Sequence, residues 1–150
     1  MLKKLVLRLR YFCYLSFKMK LLVILSWLLL GVMWLLLLIL PFKRLTLFMG
    51  KANEESPHLL DSTIQNKALK VGWAVYTMSR HTPWESKCLV QAMTVQTILR
   101  WLRIPGTLYL GVKKGTDGKV DAHAWVRCGE HIVIGNYGEE TYIIVACYSV

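Results

Sequence analysis

Residues 21–42, LLVILSWLLLGVMWLLLLILPF, contain no charged side chain. A bilayer core needs about 20 apolar residues in helical form, so this run is long enough to cross one. A helix that is apolar on every side offers water nothing, and a chain of 150 residues builds only a small core in which to hide it. The reading is therefore membrane insertion. Trp27 and Trp34 fall inside the run, whereas interface anchors sit nearer the ends of a span. A cleavable signal peptide fits poorly, because its apolar part is usually roughly 7–15 residues long and a small-residue cleavage site should follow.

Charge supports the same partner. Residues 1–60 hold nine Lys or Arg against two Glu, a net +7 of the total +10. The basicity thus belongs to the apolar end, which favours a membrane surface over nucleic acid. No RNP-type, zinc-finger or helix-turn-helix signature opposes that choice. Residues 3–20, KKLVLRLRYFCYLSFKMK, interleave basic and large apolar residues, as expected of a helix in a headgroup layer with Lys3, Lys4, Arg8, Arg10, Lys18 and Lys20 toward phosphates. Six basic residues precede the apolar run and three follow it, a weak positive-inside vote that puts the carboxy-terminal part outside. The resulting division is a membrane-associated or membrane-spanning segment over 1–49, a polar linker over 50–60 broken by Gly50 and Pro57, and a domain over 61–150.

Cys13, Cys88, Cys128 and Cys147 are widely and irregularly spaced. They form neither a CxxC motif nor a disulfide framework, which points to a reducing compartment. The Cys128–His131 gap resembles a metal spacing but crosses a tight turn and lacks a second ligand pair, so no metal and no cofactor is expected.

Within the domain, Asp61 to Arg80 reads as a helix capped by Asp61, Ser62 or Thr63, with Ile64, Ala68, Val71, Val75 and Met78 on one face. Gly72 in its middle implies close packing. Thr82-Pro83-Trp84-Glu85 has the form of a capping box with proline at the first helical position, so a second helix is predicted from there to Arg103, before Ile104-Pro105-Gly106. Cys88, Ala92, Val95, Leu99 and Leu102 recur on its buried stripe. Cys88 then falls in the second turn, where the helix dipole helps a thiolate little. An activating histidine would have to come from a facing layer.

Alternation predicts strands over 107–112, 120–128 and 131–135 and a final strand in TYIIVACYSV. Asp121, His123, Trp125 and Arg127 share one face of the second strand. Gly129-Glu130 reads as a two-residue turn, which would pair Cys128 with His131, Arg127 with Ile132, Trp125 with Ile134 and His123 with Asn136. Cys88, His123 and Asn136 would then form a nucleophile, base and orienting amide, with Asp121 as the reserve third member. A one-residue bulge would remove Asn136 from that face. His58, His81 and His131 lie in linkers or beside turns. The fold class is α+β: a helix on a roughly four-stranded antiparallel sheet, with an apolar helical segment ahead of it.

The segment PWESKCLVQAMTVQTILRWLRIPGTLYLGV (83–112), followed by AHAWV (122–126) and HIVIG (131–135), resembles the transglutaminase-like, papain-like cysteine peptidases that act as leader peptidases in lasso-peptide biosynthesis. The resemblance covers roughly residues 60–150, and LPFKRL (40–45) is similar to the amino-terminal region of that family. It implies a hydrolase that removes the leader from a ribosomally made precursor peptide, with Cys88 as nucleophile and His123 as base. It also implies two partners, a separate winged-helix leader-recognition protein and an ATP-dependent lasso cyclase. The family's third member is commonly an Asp after the histidine, where this chain has Gly135-Asn136. Because the family's precursor is made in the cytoplasm, the resemblance places the catalytic part there, against the charge vote. Oxyanion donors would be the Cys88 backbone amide and the Trp84 indole. The competing readings are a transglutaminase or amidase acting on side-chain amides, and a non-catalytic membrane-tethered binding module.

Overall fold

The computed structural model describes residues 15–115, 118–136, 138 and 141–150. Most of the expected headgroup-layer segment, with Lys3, Lys4, Arg8 and Arg10, lies outside the described residues.

Among the described residues, four helices and five strands follow one another. Helix α1 spans Phe17–Ile39; the Ser16 hydroxyl accepts from the Met19 amide at its start, and Leu40 is extended ahead of Pro41. Helix α2 is Phe42–Met49 and helix α3 is Ser62–Ser79. Asp61 caps α3 by accepting from the Thr63 amide at 2.7 Å, as its position in the sequence predicts. Hydrogen bonding to Thr63, first to its side chain and then to its amide, holds the Asp61 carboxyl below its ordinary range. Helix α4 is Cys88–Trp101. The strands are β1 (Lys51–Ala52), β2 (Thr107–Lys114), β3 (Val120–Cys128), β4 (His131–Ile134) and β5 (Ile143–Ser149), in one antiparallel sheet ordered β1-β5-β2-β3-β4. The sheet has five strands where four were read, because β1 pairs Lys51 with Ser149 within the stretch expected to be a linker.

Alternation along the strands gives the sheet two unlike faces. Leu108, Ala124, Val126, Cys128 and Tyr148 face α3 and α4 and join one core with Val71, Val75, Val95 and Leu99. Leu29, Leu30, Met33, Leu45 and Met49 belong to that same core, so α1 and α2 pack on the domain. On α1 the buried positions Val23, Ser26, Leu30 and Met33 recur at helical spacing on one side, and the Ser26 hydroxyl is satisfied by the Leu22 carbonyl at 2.7 Å. Gly72 on α3 lies against the Val133 carbonyl, where no Cβ would fit, which is the close approach that a glycine in that helix implied.

The opposite face carries Thr107, Tyr109, His123, Trp125 and Arg127. It is tied to the 53–58 segment: the Ser56 amide donates to Thr107 Oγ1 at 2.8 Å, and buried Arg127 donates to Tyr109 Oη, the carbonyls of Gly129 and Ser56, and Glu55. Ends of three elements meet at Gln96 of α4. Its fully buried amide donates to the carbonyls of Met49 and Tyr148 at 3.0 and 2.9 Å. Gln96→Leu leaves two buried carbonyls without that donor and is expected to lower stability by about 1–3 kcal/mol, read as a fall in the urea midpoint with an unchanged slope.

Candidate active site

Cys88 is the first residue of α4, one turn earlier in its helix than the capping box predicts. The reason is tertiary. The Thr82 hydroxyl lies within 2.9–3.1 Å of the Ser79 and Trp84 carbonyls and Ser86 Oγ, so it closes a turn instead of capping a helix. Glu85, which a capping box would send back to the Thr82 amide, pairs with Lys87 at 2.9 Å. Trp84 is drawn into α1, with ring centroids 5.1 Å from Trp27 and 6.2 Å from Trp34. Gly31 makes room, since a Cβ there would lie 2.9 Å from the indole. The Trp27 indole N–H also donates to the His81 carbonyl at 3.4 Å.

This start changes the electrostatics around the sulfur. The first-turn amides of a helix have no intrahelical acceptor and together carry partial positive charge, and Cys88 now stands at that end of its helix. Lys87 adds a neighbouring cation, held above its ordinary range first by the hydrogen bond to Glu85. Cys88 is half-buried against the helix-side core, and it is a free thiol without a hydrogen-bond partner among the described residues. Gln96 fixes the middle of α4 near the Gly106 and Tyr148 end of the sheet. Eight residues of helix then carry Cys88 about 12 Å toward the other end.

His123 is placed differently. It projects from the opposite face of β3, stacked on Trp125 at 5.7 Å and tilted against Tyr142 at 5.1 Å, with Nε2 2.7 Å from the Gly135 carbonyl. A carbonyl can only accept, so Nε2 carries the hydrogen and Nδ1 is the acceptor of the neutral ring. The structure brings His123 together with Gly135, Trp125 and Tyr142. It does not bring His123 into hydrogen-bond contact with Cys88.

The predicted strand register is corrected by a bulge. Cys128 pairs with His131 and Arg127 with Ile132, as the two-residue turn requires, and Gly129 has the positive φ of +59° that such a turn needs. A bulge between Val126 and Arg127 then sets Ile134 opposite Val126 instead of Trp125. Asn136 therefore is not carried opposite His123, and the acceptor for the ring is the backbone carbonyl one residue earlier. Asp121, the reserve, accepts from Tyr142 Oη at 2.8 Å and lies 3.6 Å from Lys113. Trp84 Nε1, expected as an oxyanion donor, is buried within the tryptophan cluster without an acceptor among the described residues. The Cys88 backbone amide stays available by its helix position.

Two participants were not visible in the sequence. Tyr142 sits in an irregular stretch whose register is set by a second irregularity, between Leu110 and Gly111, and the Gly135 carbonyl leaves no side-chain signature. Gly111 offered a faint signal, since any Cβ there would strike Trp125 and Tyr142. Among the described residues no group of three or more His, Cys, Asp or Glu is assembled as a metal site.

A family model described as the transglutaminase-like superfamily matches residues 32–146, a stretch that includes Cys88, His123 and the whole sheet except β1's partner positions at the end of β5 and the chain terminus. No curated protein and no solved structure gives a match.

The described cysteines differ in access. Cys128 is buried, and burial pushes its thiol above the ordinary range; Cys88 and Cys147 are half-buried. Iodoacetamide applied to the native chain at mildly alkaline pH is expected to modify Cys88 while Cys128 stays unmodified until urea is added, as peptide mass mapping will show.

Proposed function

Because the chain belongs to the transglutaminase-like superfamily, typically cysteine peptidases and transglutaminases, we propose that it is a cysteine-dependent acyl-transfer enzyme. The observation that carries this reading is Cys88: a free, half-buried thiol at the first residue of a core helix, where that helix favours an anion. In the proposed reaction the thiol proton passes to His123 Nδ1 and the sulfur attacks the scissile carbonyl. The tetrahedral oxyanion accepts from the Cys88 backbone N–H. His123 returns the proton to the departing amine, and water then cleaves the thioester. The Gly135 carbonyl fixes the tautomer, a role assigned in the sequence to Asn136 or Asp121.

General base catalysis needs the imidazole within about 2.6–3.2 Å of the proton it takes, although sites without substrate are often looser. The reading therefore requires substrate binding to bring His123 and Cys88 together. As substrate we propose the leader junction of a lasso-peptide precursor, on the strength of the PW…C, LGV and AHAWV motifs. The winged-helix recognition protein would deliver it and the ATP-dependent cyclase would take the product, all in the cytoplasm. The placement of His123 on the face away from Cys88 favours a second reading, a non-catalytic binding module. Action on side-chain amides is the rival within the superfamily.

One assay separates them. Precursor, recognition protein and this chain are incubated and the products weighed. Peptidase action releases a leader fragment, transamidation loses the mass of ammonia, and a binding module changes nothing. Cys88→Ala is expected to abolish release and His123→Ala to slow it on the order of 10²–10⁴-fold, while Asn136→Ala and Asp121→Ala act much more weakly. Full processing by Cys88→Ala would end the catalytic reading.

A further inference from the structure

The outward side of α1 is apolar along its whole length. Phe17, Leu21, Ile24, Leu28, Val32, Leu35 and Ile39 are exposed and follow each other at steps of four and three, directly across the helix from buried Val23, Ser26, Leu30 and Met33. No charged residue interrupts the stripe between Lys20 and Lys43. By length and composition alone α1 could cross a membrane, but one side of it is already occupied by α3, α4 and Trp84.

The surroundings are basic. A cavity of about 660 Å³ at the start of α1 has an apolar floor including Met19, Leu22, Ile64 and Val71. Its charged lining is Lys18, Lys67, Lys70 and Arg103, with no carboxylate. At the far end of α1 stand exposed Lys43 and Arg44. The chain has no Asp or Glu before Glu54, so α1 and the segment around it carry only basic charges.

We propose that α1 lies in the plane of one leaflet of an anionic bilayer. Its outer stripe enters the acyl boundary, and the Lys18, Lys67, Lys70 and Arg103 cavity seats a phospholipid headgroup. A spanning orientation would carry the flank of α3 with Lys67 and Lys70 toward the hydrocarbon, or would strip α1 from the core it closes. An in-plane helix keeps both sides satisfied: core on one, lipid on the other, with cations at the headgroup level. The proposal does not depend on catalysis.

The test uses the full chain added to sealed vesicles of phosphatidylcholine, with or without phosphatidylglycerol. Flotation should recover the protein mainly with the anionic vesicles. Lys67→Gln and Lys70→Gln should each lower partitioning about fivefold, and Leu28→Glu, an exposed position, should release the chain with its Cys128 still protected from alkylation. Ser16→Cys and Lys51→Cys, measured against the parent chain, report topology through an impermeant maleimide added outside. Both sites should react fully without detergent. Protection of either end until the vesicles are lysed would establish a spanning helix and overturn the proposal, as would binding indifferent to phosphatidylglycerol or absent from both vesicle types.

Discussion

The packing of one side of α1 onto α3 and α4 is the constraint on which the rest of this structure depends. Each side chain that α1 buries fully, Leu30 and Met33 among them, contributes roughly 1.5–3 kcal/mol. A domain's net stability is only about 5–15 kcal/mol. Several such side chains amount to the whole margin, so α1 is a structural element of the domain and not an appendage to it. Its tryptophans then reach the segment that leads into Cys88. Trp27 and Trp34 hold Trp84, and holding Trp84 keeps residues 83–87 out of the helix that their sequence favours.

That displacement matters because it decides what surrounds the sulfur. Had α4 begun at Pro83, Cys88 would sit a turn inside, flanked by satisfied amides. Starting at Cys88, the helix places that residue in its first turn, among amides that lack intrahelical acceptors. The other half of the machinery answers to a different constraint. His123 is held by a carbonyl, two aromatic rings and strand alternation on the face away from α4. Cys88 thus heads a helix on one face of the sheet while His123 projects from the other, so the proposed acyl transfer requires a step that joins them.

Much of this was legible from residue order. The cap at Asp61, the close approach at Gly72, the Gly129-Glu130 turn and the strand faces of β3 follow from local chemistry, and local chemistry decided them. The misplaced features are those where a distant partner outbid a local preference. The Thr82 capping box lost to the tryptophan cluster and the Glu85–Lys87 pair; the His123–Asn136 register lost to a single extra residue on β4, Val133, opposite the Val126–Arg127 step. The short strand β1 escaped notice because two residues have no periodicity to read; it is strand only because β5 is beside it. The apolar run was read as a membrane-inserted helix, and its pattern could not say that a domain covers one side of it, since its positions are apolar on every side.

The central claim is that Cys88 is the atom that takes the acyl group. Acid quenching during turnover of precursor, followed by intact-mass and peptide mapping, tests it most directly. The account predicts a thioester adduct on the Cys88 peptide that accumulates before product and is missing from Cys88→Ala. Release of the leader with no adduct, or an adduct on any other residue, would contradict it.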